Sequence, residues 1–327
     1  MTVSYAFEPD PLRAQWLNRR MHRELAASLR YLQAEVGPLS GCAEVLDPLL
    51  EAMDAGADVP ATAFARYYEV AMQVMAADWD GAQASWHDLS RVAPWPGGQT
   101  VAALGDPELG DDSMRYQRMM NADASVDLGF VPPRDDVQAA FRRRLAEGQA
   151  LLRHALPSLA GEIDAIVREI VIAGSDPTKT MQFDGGSHYQ LWGALFLNGE
   201  FHPDPLAVIE VLAHESAHSL LFGFCTDEPL VANADEELYA SPLRPDPRPM
   251  DGIFHATFVS ARMHWAMSRL AACELLSSDD RLRAREAAAA DLRNFEAGSQ
   301  VVAEHGRLTG VGAGLMAEAH AYIDSVR

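Results

Sequence analysis

The stretch DPLAVIEVLAHESAHSLLFGF, Asp204 to Phe224, constrains the fold more than any other part of the chain. Apolar residues at 206, 209, 212, 213, 217, 220 and 221 recur with the helical period, so the segment predicts a buried α-helix. Asp204 supplies a side-chain acceptor for the orphan N–H groups of its first turn. Pro205 fits the first helical position, and Gly223 marks the stop. A helix buried in this way needs a large core around it. At 327 residues, 48% of them hydrophobic, the chain supplies one, as a single large domain or two packed closely together.

Around this helix the pattern changes character. EIVIAG (169–174) and HYQLWGALFLNG (188–199) are rich in β-branched and aromatic residues, are bounded by glycines, and predict strands. Asp10–Val36, Ala61–Met75 and Val137–Val167 carry helical patterns. Between Ala93 and Asp136, ten prolines and glycines predict an irregular segment, either a lid or wall of an active site or a surface excursion. After the turn-rich SPLRPDPRPMDG, a second long helix is expected from Ile253 to about Leu276, with Asp251 as candidate cap. The tail from Asp280 reads as surface-packed helices. GVGAG (310–314) has neither the preceding strand nor the following lysine of a phosphate loop and reads as a helix break.

The expected fold is therefore α+β and predominantly helical, with a small central sheet beside a zincin-like helix and helical N- and C-terminal regions. In chain order this makes 1–165 a helical N-terminal region containing the irregular 93–136, and 166–327 a metal-binding catalytic region, together in one compact domain.

Composition excludes several classes of function. A formal net charge of −21 repels phosphate backbones, so no nucleic-acid partner is expected; the acidity serves solubility or a cationic substrate. No apolar run reaches eighteen residues, so no membrane span is expected. MTVSYAFEPDPLRAQW lacks the basic and apolar regions of a secretory signal. Cys42, Cys225 and Cys273 are odd in number and scattered, which suits buried thiols in a reducing cytoplasm.

Within the long helix lies LAHESAHSLLFG, an HExxH motif. Residues four apart on a helix share a face, about 6 Å apart along the axis, so His214 and His218 can aim at one cation. Glu215 stands beside the first of them, within reach of a metal-bound water. Two residues compete as third ligand. Glu237 follows His218 by nineteen residues, a spacing found in glutamate-ligand zinc peptidases. His255 sits at the start of the next long helix among apolar neighbours. The close-spaced third histidine of metzincins is absent. Arg262 lies two turns beyond His255, about 10 Å along the axis. Its planar fork suits a carboxylate, either that of a chelating dicarboxylate cosubstrate such as 2-oxoglutarate or a structural one of the protein. Arg244 and Arg248 are weaker candidates for the same role.

LAHESAHSLLFG followed by EELYASPLRPDPRPMDGIFHATFVSARM resembles the HExxH-type peptide β-hydroxylases, which depend on 2-oxoglutarate and iron and are often encoded with peptide natural-product pathways. The resemblance covers roughly residues 166–276. It implies Fe(II) held by His214, His218 and His255, with 2-oxoglutarate and O2 as cosubstrates and succinate and CO2 as coproducts. The hydroxyl is installed on an sp3 carbon, expected to be the β-carbon of an amino-acid residue in a peptide, a carrier-bound aminoacyl group or a free amino acid. Glu215 then orients a ligand or a water by a hydrogen bond. The Arg262 assignment is geometric and does not come from the family. Three neutral histidines depart from the two-histidine, one-carboxylate set common among such iron enzymes. Zinc hydrolysis, with Glu215 as general base and Glu237 or His255 as third ligand, is the first rival. A helical binding or scaffold protein with an incidental motif is the second.

Overall fold

A computed structural model of the protein describes residues 4–40, 45–121, 129–179, 183–242, 244 and 246–327. Helix predominates and the strands form a small mixed sheet, so the α+β expectation is borne out. The chain forms two compact units, each assembled from separated stretches. One comprises Gln15–Arg142 and Asp164–Phe201; the other comprises Met1–Ala14, Arg143–Ile163 and His202–Arg327.

The first unit contains most of α1 (Pro11–Ser40), then α2 (Asp47–Asp54), α3 (Ala61–Met75) and α4 (Trp79–Ser90). Its sheet is built from β1 (Thr100–Ala103), β2 (Phe130–Val131), β3 (Glu169–Ser175), β4 (Gly185–Ser187) and β5 (Ala194–Asn198), with α5 (Asp112–Met120) between β1 and β2. The strand order is β1-β3-β5-β4. The first three strands are parallel, β4 is antiparallel to β5, and β2 is antiparallel to the end of β3.

Strands β3 and β5 are buried along almost their whole length, as a parallel pair covered on both faces requires; this is why they read as continuous apolar runs. Val171, Ala173, Ala194 and Phe196 pack with Ala61, Ala65, Tyr116, Phe130 and Phe183 in one apolar cluster. Edge-to-face ring pairs at 5.0–5.4 Å join Phe130 to Phe183 and Phe196, and Tyr116 to Phe196. The Tyr116 hydroxyl donates to Glu169, whose carboxyl burial pushes above the ordinary range.

The segment 93–136 is more ordered than its prolines and glycines predict. It contains β1, a 3-10 turn at Pro107–Leu109, α5 and β2, while residues 122–128 lie outside the described residues. The four-residue TVAA has no strand signal of its own, and its pairing with Glu169–Ile172 supplies the conformation. Asp106 closes the turn after it, accepting from the Ala103 N–H at 2.7 Å and pairing with Arg142.

The second unit contains residues from α6 (Asp135–Ala155) and α7 (Pro157–Ile166), expected as one helix and divided at Pro157, which cannot donate to the preceding turn. It continues with α8 (Pro205–Phe224), the antiparallel pair β6 (Leu238–Tyr239) and β7 (Arg248–Pro249), then α9 (Met250–Ala271), α10 (Ser278–His305) and α11 (Gly310–Ser325). Asp204 caps α8 as its position predicts, accepting from the N–H groups of Leu206 and Ala207 at 3.0 and 3.1 Å. For α9 the residue at the cap is Pro249. Asp251 falls inside the first turn, where its charge still opposes the positive end of the helix.

GVGAG opens α11 instead of breaking a helix. Thr309 caps it by accepting from Gly312 N–H at 3.1 Å, and the break lies just upstream. The glycine is needed because a β-carbon at 312 would run into the Leu230 carbonyl. Gly298 does the same for the long α9–α10 contact, where a β-carbon would strike Thr257 Oγ1. Cys225 and Cys273 are free thiols, and Cys42 lies outside the described residues. Among the described residues no helix is long and apolar enough to cross a membrane.

Two predictions test this packing. Gly298→Ala inserts a methyl into the α9–α10 contact and is expected to destabilise the protein by about 1–3 kcal/mol in urea denaturation. Asp291 on α10 is buried, with no hydrogen-bond partner for Oδ2 among the described residues; burial and the Glu210 charge raise its pKa to about 8. Between the ordinary carboxyl value and about pH 8 the native state holds a proton that the unfolded chain has lost, so stability falls as pH rises through that window. Asp291→Asn is expected to flatten that slope and to stabilise by about 1–3 kcal/mol at pH 8, read from melting curves across pH.

Candidate metal centre

Helix α8 is buried almost all round. Between Leu206 and Phe224 only Ala207, Glu210, His214, His218 and Phe222 are partly open, and three- and four-residue spacing puts them in one stripe. Both motif histidines therefore occupy the one side of the helix that is not sealed by the core. Glu215 is turned inward and is 4% exposed. His255 comes from the second turn of α9, which packs on α8, and is likewise buried.

The three imidazoles are in contact. His214 Nε2 and His218 Nε2 are 3.2 Å apart, and His218 Nδ1 and His255 Nδ1 are 3.0 Å apart. The rings of His218 and His255 are nearly parallel, with centroids at 5.3 Å, and Phe222 lies against His255. Glu215 Oε1 is 3.8 Å from His214 Nε2, and Asp251 Oδ2 is 3.9 Å from His255 Nε2. His214 Nδ1 meets the sulfur of Met263 at 3.2 Å.

Burial, with the neighbouring imidazoles adding to it, pushes the His218 pKa well below the ordinary imidazole value. Burial lowers that of His255 too, against the opposing pull of Asp251. Both are therefore neutral at pH 7, the protonation state in which an imidazole binds metal.

The His214–His218 edge fits a divalent cation. Two bonds of about 2.1 Å at about 100° span the observed separation, as does a single N–H···N hydrogen bond. His255 contacts the opposite nitrogen of His218, so the rings form a string and not a triangle. Among the described residues no three His, Cys, Asp or Glu side chains form a group that could hold a metal ion.

Two other expected residues have different partners. Glu237 forms an ion pair with Arg307 and accepts from the Tyr239 hydroxyl at 2.6 Å. Those hydrogen bonds hold its carboxyl at about 2. The fork of Arg262, offered on sequence to a cosubstrate carboxylate, is taken by a carboxylate of the protein. Its Nη2 donates to Glu162 and its Nη1 to the Phe7 carbonyl at 2.7 Å, and its side chain is 2% exposed. The other Glu162 oxygen accepts from Arg13 at 2.9 Å and from the Asp10 N–H at 3.0 Å. Arg248 pairs with Asp246, and Arg244 is exposed.

Sequence reasoning thus brings together His214, Glu215, His218 and His255, and misses Met263 and Asp251 beside the histidines and Glu162 and Arg13 around Arg262. Glu162 lies a hundred residues from Arg262, and no local pattern joins them. Asp251 and Met263 were visible, being four residues before and eight after His255 on the same helix. No protein-family model and no curated protein matches the chain.

Glu162→Ala strands two buried guanidiniums and is expected to cost about 3–5 kcal/mol in urea denaturation. Glu162→Gln, which keeps the acceptor oxygen but not the charge, is expected to lose less.

Proposed function

We propose that this protein is a metal-dependent hydroxylase of the Fe(II)/2-oxoglutarate type, acting on an sp3 carbon of an amino-acid residue, the β-carbon by preference. The observation that carries this reading is the contact of three imidazoles from α8 and α9, two of them kept neutral by burial, while Glu237 is committed to Arg307. Ferrous iron with 2-oxoglutarate and O2 supplies the hydroxylating chemistry, with succinate and CO2 as coproducts.

The protein's own residues have the following roles. His214 and His218 present the two Nε2 atoms of one edge. His255 contacts the opposite nitrogen of His218, so for it to serve as the third ligand that contact would have to be given up. Glu215, dry and adjacent to His214, accepts a hydrogen bond from a water or ligand and so orients it. Arg262 acts through Glu162 to hold α9, and hence His255, in place; it is not the carboxylate clamp. A set of three imidazoles would leave the metal's charge to be balanced by an anionic cosubstrate. In this reading the substrate is a peptide, a carrier-bound aminoacyl group or a free amino acid, with no nucleic-acid partner. The setting is a reducing cytoplasm with Cys225 and Cys273 as thiols.

Zinc hydrolysis is the second reading, favoured by Glu215 Oε1 at 3.8 Å from His214 Nε2, where a general base beside a ligand belongs.

The test is anaerobic reconstitution with Fe(II), followed by 2-oxoglutarate, O2 and a peptide library. The expected result is succinate formed together with a product carrying one added oxygen. This turnover should be abolished by His214→Ala and His255→Ala and retained by Glu237→Ala. A protein that retains only zinc and cleaves peptides, with cleavage lost in Glu215→Gln, establishes the second reading instead.

A further inference from the structure

Besides the Phe222 ring, one side chain that meets the histidines is neither an imidazole nor a carboxylate. Met263 follows Arg262 on α9, and its Sδ stands 3.2 Å from His214 Nδ1. The opposite nitrogen of the same ring, Nε2, faces His218. An imidazole that gives Nε2 to a cation carries its proton on Nδ1, so the thioether becomes the acceptor of that N–H. Metal-bound histidines generally donate this proton to a carboxylate, a carbonyl or a water; a thioether is a much weaker acceptor.

Two further features bear on this contact. The backbone beside Met263 is held by the paired bonds of Arg262 to Glu162 and to the Phe7 carbonyl, so the sulfur is presented from a fixed position. Met263 itself is only half-buried, so a small oxidant can reach it.

We propose that Met263 is a positioning residue that fixes the His214 tautomer presenting Nε2 to the metal, and that oxidation of its thioether weakens metal binding. The proposal rests on the metal-centre reading above. The oxidant class is a hydroperoxide. A sulfur lone pair attacks one peroxide oxygen, the O–O bond breaks, and the departing oxygen takes up a proton and leaves as water or alcohol. Sulfur is oxidised by two electrons to the sulfoxide as the peroxide is reduced. An oxygen placed in line between sulfur and Nδ1 adds about 1.5 Å and still needs about 2.8 Å to the nitrogen. The present separation of 3.2 Å does not hold it, and the His214 ring is displaced.

The test uses the full chain with Zn(II) alone as probe, read by titration calorimetry and by the 15N shifts of His214. Wild type is expected to bind through Nε2 with a protonated Nδ1. Met263→Leu, close in volume but without an acceptor, is expected to lose about tenfold in affinity. Met263→Gln, whose amide oxygen can accept, should recover most of it. Hydrogen peroxide should weaken binding by wild type, with an added oxygen mapped to the Met263 peptide, and leave Met263→Leu no weaker than before. Exposed Met75 and Met114 oxidise in both proteins and so cancel.

Unchanged affinity and unchanged His214 shifts in Met263→Leu, together with peroxide-insensitive binding, overturn the proposal while leaving the metal centre standing. Zinc bound equally well by His214→Ala overturns the metal-centre reading itself, and the proposal falls with it.

Discussion

The buried carboxylate of Glu162 is the contact on which the helical unit depends. It receives Arg13 and the Asp10 N–H from the start of α1 and Arg262 from α9, while Arg262 also holds the Phe7 carbonyl. Three stretches of chain with no local relation are thereby tied at one point. Two guanidiniums against one carboxylate leave an excess positive charge in a dry place, and Glu8 lies close enough to offset part of it. Such a cluster is a poor source of net stability, because desolvating three charges costs about what their attraction returns. Its value is in specificity: only the native arrangement satisfies every member, so α9 has one allowed seat against the N-terminal segment.

That seat matters for the histidines. His255 and Met263 ride on α9 eight residues apart, on either side of the pinned Arg262 in sequence, and His214 and His218 come from α8. The open stripe of α8 is narrow, and from Leu206 onward everything else on that helix is sealed, including Glu215. Metal-ligand candidates, an inward carboxylate and a soft sulfur are thus brought into contact by two helices whose relative placement has little freedom.

Much of the helical fold was legible because helices announce themselves locally. The cap at Asp204, the period of α8, and the apolar runs of β3 and β5 needed no partner to be read. The strand β1 and the helix α5 were not legible, because TVAA becomes a strand only through its pairing with β3. GVGAG was misread for a related reason: Gly312 answers to the Leu230 carbonyl and Gly314 to the Tyr5 ring, and not to the helix they open. In the site, HExxH spacing and the position of His255 were enough to gather the imidazoles. The partners of Arg262 and Glu237 were not foreseeable. Each is fixed by a residue at least seventy positions away, Glu162 in one case and Arg307 in the other.

The N-terminal segment has a consequence for the order in which the chain matures. Tyr5 packs on Phe224, Phe7 on Phe258 and Tyr322, and Glu8 on Trp265 and Arg269. Residues 5–8 therefore stay without these partners until residues 224–322 have been made. The stretches forming the sheet unit are complete by Phe201, well before those partners are made. The hydrogen bonds from this segment to α9 span 255 to 261 residues, so they form only once a long stretch of chain has been brought together. The seating of α9, and with it the histidine cluster, therefore depends on contacts of high sequence separation, and Tyr5 and Phe7 lack their ring partners until such contacts form.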